Sequence, residues 1–242
     1  MSDDAEVTPV DTIDDASAPL IGFMLSVEQL ALLRDLLSAH PITVVIDDCS
    51  NSALLDDQWK PWARRVRTQL KHISGQIIVR APSYSFPDPQ NHPKIRETIA
   101  SQLQAVCDLA VVLGAHKIII PIEAGIPALY ARICHYLAPL STRIHDQQMT
   151  LILETGIGTT RTDIDALQQL LAIPTERCVT NDGDESHDFT AIDYIYEKNN
   201  WADNREVPTN IPSTCTVLIG PNEDSQQFRH YWEAFSTKSR NS

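Results

Sequence analysis

The residues best suited to chemistry in this chain fall just beyond short apolar runs. Asp47 and Asp48 follow the run 42–46, Arg80 follows 77–79, Glu123 follows 117–120, and Glu154 follows 151–153. Asp182, Asp184 and His187 follow the run 177–180. Carboxylates gathered with one imidazole suit a hard divalent cation such as Mg²⁺ or Mn²⁺, which takes oxygen ligands and polarises a carbonyl or a bound water. A carboxylate in such a set can also serve as general base. Arg80 could grip a phosphate or carboxylate with its planar fork; equally, it could pair with Glu123 or Glu154 and neutralise the site. The plainer reading, solvated loop acids in an acid-rich chain, stays open at this point.

The elements that must position these groups alternate. A strand over 20–25 leads to Ser26, an N-cap with Gln29 at the capping-box position, and then to Val27, Leu30, Leu33 and Leu37 at helical spacing. The strand at 42–47 is followed by a helix carrying Trp59, Trp62, Val66 and Leu70, with Pro61 in its first turn. The strand at 76–80 stops at Ala81-Pro82, and a long helix through Ile99, Leu103, Val106 and Leu113 closes at Gly114. A strand at 117–120 precedes a helix from Leu129 to Ile144, the run 149–156 is the fifth strand, and Ile164, Leu167 and Leu171 mark its helix.

Residues 177–180 form a sixth strand. The segment 191–196 fits either a helix or a strand, and its aromatic and β-branched content favours a seventh strand. Residues 215–219 form the eighth, with Phe228, Tyr231, Trp232 and Phe235 on a last amphipathic helix. Near-continuous apolar strands alternating with helices imply a parallel sheet with helices outside, and eight strands close a (β/α)8 TIM barrel of α/β class with the sixth helix short or missing, whereas without the seventh strand an open doubly wound sheet is the alternative. In a barrel all the strand C-termini share one face, which would gather the groups above into one mouth.

The 242 residues, 43% hydrophobic, fit one barrel domain over 20–236, after an acidic disordered tail at 1–19 and before a frayed tail at 237–242. A net charge of −13 disfavours nonspecific nucleic-acid binding. Five scattered cysteines outside any Cys-x-x-Cys pair suggest neither a disulfide framework nor a thiolate zinc site, which fits a cytoplasmic protein. No signal peptide or membrane-length apolar run is present, and no glycine-rich phosphate loop follows an early strand.

The stretches Arg80-Ala-Pro-Ser-Tyr-Ser-Phe-Pro-Asp-Pro, Ile95-Arg-Glu-Thr-Ile-Ala-Ser-Gln-Leu, Ala110-Val-Val-Leu-Gly-Ala-His-Lys-Ile-Ile-Ile and Leu151-Ile-Leu-Glu-Thr-Gly resemble the xylose isomerase-like TIM barrels. That superfamily holds sugar and sugar-phosphate isomerases and epimerases together with endonuclease IV. The resemblance implies that Glu154 is the strand-five metal ligand and that Asp182 or Asp184 stands near the strand-six ligand, Asp184 and His187 reproducing an Asp-x-x-His spacing. It also implies departures: Arg80 and Pro121 where endonuclease IV-like members carry histidines, Tyr196 near the strand-seven histidine, and Gly220 or Pro221 where isomerases place a second glutamate.

The expectation is therefore a metal-dependent isomerase or epimerase of a small sugar or sugar phosphate, with catalytic Glu154, Asp182 and His187. Arg80, Glu123 and Asp47 would bind substrate, and Glu154, Asp182 and Asp184 would hold Mg²⁺ or Mn²⁺. The alternative is a non-catalytic barrel that binds a protein partner through the acidic N-terminal tail or the basic cluster Arg64, Arg65, Arg67 and Lys71. An endonuclease IV-like DNA repair nuclease ranks below both, since the missing histidines and the negative charge oppose it.

Overall fold

The computed structural model describes residues 20–49, 54, 58–84, 86–88, 90, 92–122, 126–155, 159–181, 192–197, 215–220 and 225–239. Strands β1 (Leu20–Leu25), β2 (Thr43–Ile46), β3 (Ile77–Arg80), β4 (Lys117–Ile122), β5 (Thr150–Thr155), β6 (Thr175–Asn181), β7 (Tyr194–Glu197) and β8 (Thr216–Ile219) form a closed barrel in sequence order. Every neighbouring pair is parallel, and β8 closes on β1 with Gly22 beside Leu218. The ambiguous segment is a strand, as its β-branched and aromatic content favours, though it begins at Tyr194.

The helices are α1 (Val27–Leu32), α2 (Arg34–Ala39), α3 (Trp59–Leu70), α4 (Pro93–Leu113), α5 (Ile126–Leu137), α6 (Ser141–Asp146), α7 (Arg161–Leu171) and α8 (Ser225–Ser239). The Ser26 capping box forms as its sequence predicts: the hydroxyl accepts from the Gln29 N–H, and the Gln29 side-chain oxygen Oε1 accepts from the Ser26 N–H. Gly114 ends α4 at φ 79°, a left-handed conformation that a side chain resists. Two expected single helices are broken. Leu33, at φ −104° and ψ 8°, separates α1 from α2. Pro139 sits in the 3-10 turn Ala138–Leu140 between α5 and α6, where its missing N–H interrupts the helical ladder. The short or missing sixth helix and the tail at 1–19 lie outside the described residues; of the frayed tail expected at 237–242, residues 237–239 continue α8 and 240–242 lie outside the described residues.

Strand alternation splits the core into two layers. Outward residues such as Phe23, Leu25, Val44, Ile46, Val79, Ile118, Ile120, Leu151, Leu153 and Val217 pack against the helices. Inward residues Met24, Val45, Ile78, Ile119, Ile152, Cys178, Tyr194 and Leu218, one from each strand, form a separate cluster. The lumen is thus a packed core and not a pore. Gly22 is part of its closure, since a Cβ there would stand 2.7 Å from Leu218 Cδ2 and 3.0 Å from Thr43 Cβ.

Candidate functional site

A side chain two residues beyond an inward one points inward again. From Val45, Ile78 and Ile152 this rule reaches Asp47, Arg80 and Glu154, one step toward the strand C-termini. The structure brings those three together. Arg80 Nε donates to Glu154 Oε2 at 2.8 Å, Nη2 donates to Oε1 at 3.1 Å, and Nη1 donates to Asp47 Oδ1 at 3.0 Å. The arginine, on β3, reaches across β4 to engage β5. It can do so because β4 presents Pro121 beside Glu154 in register, a residue with no polar group to intercept the guanidinium.

The cluster is mostly withdrawn from water, with side-chain exposures of 19% for Arg80, 27% for Asp47 and 9% for Glu154. Burial opposes the charge on Arg80, but the hydrogen bonds and charge of Glu154, then of Asp47, outweigh it and hold the guanidinium protonated well above its ordinary range. The planar fork matches the carboxylate plane, so Glu154 has each oxygen accepting a charge-assisted hydrogen bond. Two carboxylates against one guanidinium leave the cluster with one net negative charge.

Cys178, an inward neighbour below this cluster, is a thiol held well above its ordinary value by burial first and then by the Glu154 charge. None of the five cysteines is in a disulfide. Glu123, Asp182, Asp184 and His187 lie outside the described residues, as does Pro221. Tyr196 lies on β7 beside Leu218 of β8, and Gly220 is buried just past the end of β8.

The described residues do not fit a divalent cation at Glu154. The Arg80 guanidinium already takes one lone pair on each Glu154 oxygen, and a metal there would sit against that fixed positive charge. Among the described residues, no group of three His, Cys, Asp or Glu side chains is placed to hold a metal.

A second ion-pair group closes the opposite end of the lumen, and sequence reading missed it. Lys117 Nζ donates to Glu176 Oε1 and Oε2, each at 2.7 Å, and meets Tyr194 Oη at 2.7 Å. The signal was present: Lys117 and Glu176 stand two residues before the inward Ile119 and Cys178. Asp193 was missed too; it accepts from the Arg177 N–H at 2.8 Å and from Arg161 Nη1 at 2.9 Å, joining α7 to the start of β7.

The closed eight-stranded parallel barrel has known structural counterparts. A xylose isomerase domain protein from Planctomyces limnophilus superposes at TM-score 0.63 with 14% identity, covering 93% of this chain and 99% of that one. This chain shares the (β/α)8 barrel fold of that protein. A D-psicose 3-epimerase crystallised in the presence of D-fructose matches at TM-score 0.59 with 10% identity, over 92% of this chain and 96% of that one. Endonuclease IV from Thermus thermophilus matches at 0.55 with 11% identity, over 91% of this chain and 100% of that one. No family model matches the chain, and no curated protein matches it. Identity this low carries the barrel fold and not the residues of the site. Among the described residues, no helix is long and apolar enough to cross a membrane.

Proposed function

We propose that this xylose isomerase-like barrel binds a small sugar-like molecule at its strand C-termini, and that it does so without metal-dependent isomerisation through Glu154. The carrying observation is that both oxygens of Glu154 accept hydrogen bonds from Arg80. In the reading implied by the resemblance, a metal draws on Glu154 and the glutamate also takes a proton. A guanidinium in that place supplies fixed positive charge with no open coordination position.

What remains is a rigid set of donors and acceptors. A carboxylate beside a guanidinium matches the alternating donors and acceptors of adjacent hydroxyl groups. Partial exposure of Asp47 and Arg80 gives such a ligand access. The likeness to D-psicose 3-epimerase supports the ligand class. The assembly-module alternative has less support: Trp59 is 4% exposed and packs into the core, so it is no surface anchor. The acidic segment 1–19 lies outside the described residues.

Thermal-shift and calorimetric titrations test the reading. Millimolar Mn²⁺ or Mg²⁺ should leave wild type unchanged. A panel of ketoses and aldoses should include at least one that stabilises wild type saturably and loses that effect in Arg80→Lys, without conversion on prolonged incubation followed by NMR. Metal-dependent stabilisation lost in Glu154→Gln, or appearance of an epimerised sugar, would overturn it in favour of the metal-dependent isomerase or epimerase.

A further inference from the structure

Helix α3 and its C-cap concentrate positive charge. Between Trp59 and Lys71 stand Lys60, Arg64, Arg65, Arg67 and Lys71, with no Asp or Glu among them, in a chain whose net charge is −13. The helix buries Trp59, Ala63, Val66 and Leu70, and all five cations are exposed. At about 3.6 residues per turn, Arg64, Arg67 and Lys71 fall on one narrow stripe.

The stripe is costly to the helix that carries it. Arg64 and Arg67 are three residues apart and Arg67 and Lys71 four apart, spacings at which like charges repel across a helix surface. Lys60 opposes the dipole at the helix N-terminus, where no acidic residue in the first turn offsets it. Among the described residues Arg64, Arg65, Arg67 and Lys71 have no ion pair, whereas Arg80, Arg143, Arg161 and Arg229 each pair with a carboxylate.

A matching counter-charge exists elsewhere in the chain. Residues 1–19 hold Asp3, Asp4, Glu6, Asp11, Asp14 and Asp15 and no Lys or Arg. They end at Leu20, which opens β1. Strands β1 and β3 flank β2 in parallel, and β3 begins at Ile77 shortly after Lys71, so Lys71 lies at the barrel end from which the segment emerges. Two strand spacings and one helix layer separate Leu20 from Lys71, roughly 20 Å. An extended chain covers about 3.3 Å per residue, so Asp15 reaches about 17 Å from Leu20 and Asp11 about 30 Å. The stripe from Arg64 to Lys71 is itself about 10 Å long.

We infer that residues 1–19 lie along the exposed face of α3, with Asp11, Asp14 and Asp15 meeting Arg64, Arg67 and Lys71, so that the chain covers its own cationic face. Tethering favours this occupant, since a short tether holds its far end at an effective concentration on the order of millimolar. A nucleic acid or an anionic membrane would offer the same charge, but it would have to approach a chain of net charge −13 and displace carboxylates already tethered beside the stripe. The contact lies outside the lumen and does not rest on the reading given to the mouth.

The test uses the full chain and a zero-length carbodiimide, which joins a carboxylate to a lysine amine only where the two touch. In about 0.01 M salt, where charges act over about 30 Å, Lys71 should cross-link to Asp11, Asp14 or Asp15 within one chain, with a yield unchanged on dilution. In about 1 M salt, where screening cuts that range to about 3 Å, the cross-link should be lost. The double variant Arg64→Gln, Arg67→Gln keeps Lys71 and should lower the yield at least about tenfold, the ratio set by two exposed ion pairs lost together. Both positions are exposed, so this variant should melt as wild type does. In ¹⁵N-labelled protein, the triple variant Asp11→Asn, Asp14→Asn, Asp15→Asn should move the Nε–H signals of Arg64 and Arg67 and leave that of Arg143 in place.

Any of three results would overturn the inference. One is the absence of a cross-link between Lys71 and residues 1–19 at low salt. Another is a cross-link that fades on dilution, which would place the segment on a second copy of the chain. The third is a DNA duplex or a phosphatidylserine vesicle that shifts the Arg64 and Arg67 signals equally in wild type and in the triple variant, which would leave the face open to outside polyanions.

Discussion

Replacing Arg80 with glutamine removes the cation that holds Glu154 and Asp47 together while keeping much of the side chain's volume. Breaking a buried ion pair by deleting one partner costs about 3–5 kcal/mol, because the remaining charge is left uncompensated. The exposures of 19% for Arg80 and 27% for Asp47 allow some screening, so the lower end of that range applies, about 3 kcal/mol. For a barrel of this size each kcal/mol shifts the melting temperature by roughly 2–4 °C, which gives a drop of about 6–12 °C at neutral pH. The assay is thermal unfolding followed by circular dichroism.

The freed carboxylates should also make the variant respond to millimolar Mn²⁺ where wild type does not. The double variant Arg80→Met, Glu154→Leu, which replaces the charges with apolar volume, should recover most of the loss. An Arg80→Gln variant melting within about 2 °C of wild type, or a double variant as unstable as the single one, would refute the reasoning.

Three further outcomes are expected. Gly114→Ala should destabilise by about 1–2 kcal/mol in chemical denaturation, because the position sits at φ 79° while a Cβ there meets nothing within 4 Å, so the cost is backbone strain alone. Lys117→Met strands Glu176 and the Tyr194 hydroxyl at the far end of the lumen, and should lower stability by about 1–3 kcal/mol at neutral pH. Asp35, hydrogen-bonded to Arg229 of α8, has its pKa lowered from 3.8 to about 2. A depressed carboxylate pKa gives stability above the unfolded value that is lost as pH falls through the folded one. A ¹³C carboxyl titration should therefore place Asp35 near 2 in wild type and back toward 3.8 in Arg229→Ala.

Much of the barrel was legible because its signals are local. Apolar runs with β-branched residues gave the strands, the Ser26–Gln29 pair marked one helix start, and Gly114 marked a helix end. Tyr194–Glu197 was harder because a short aromatic and β-branched segment fits either period, and only its pairing with β6 and β8 made it a strand. The breaks at Leu33 and Pro139 were missed since the apolar spacing runs straight through both.

The site divides along the same line. The sequence by itself determined that Asp47, Arg80 and Glu154 stand at strand ends; the runs before them are apolar on both faces, so which way each points was settled by the barrel. Whether Arg80 would meet Glu154, Glu123 or a ligand was open, because β3 and β5 are not neighbours and no local pattern relates them. Barrel closure decided it. Curling the sheet turns inward side chains from separated strands toward one axis, where water is scarce and a fixed cation must find its counter-charge. The tertiary structure alone therefore turned a ring of possible metal ligands into an arginine bound by two carboxylates.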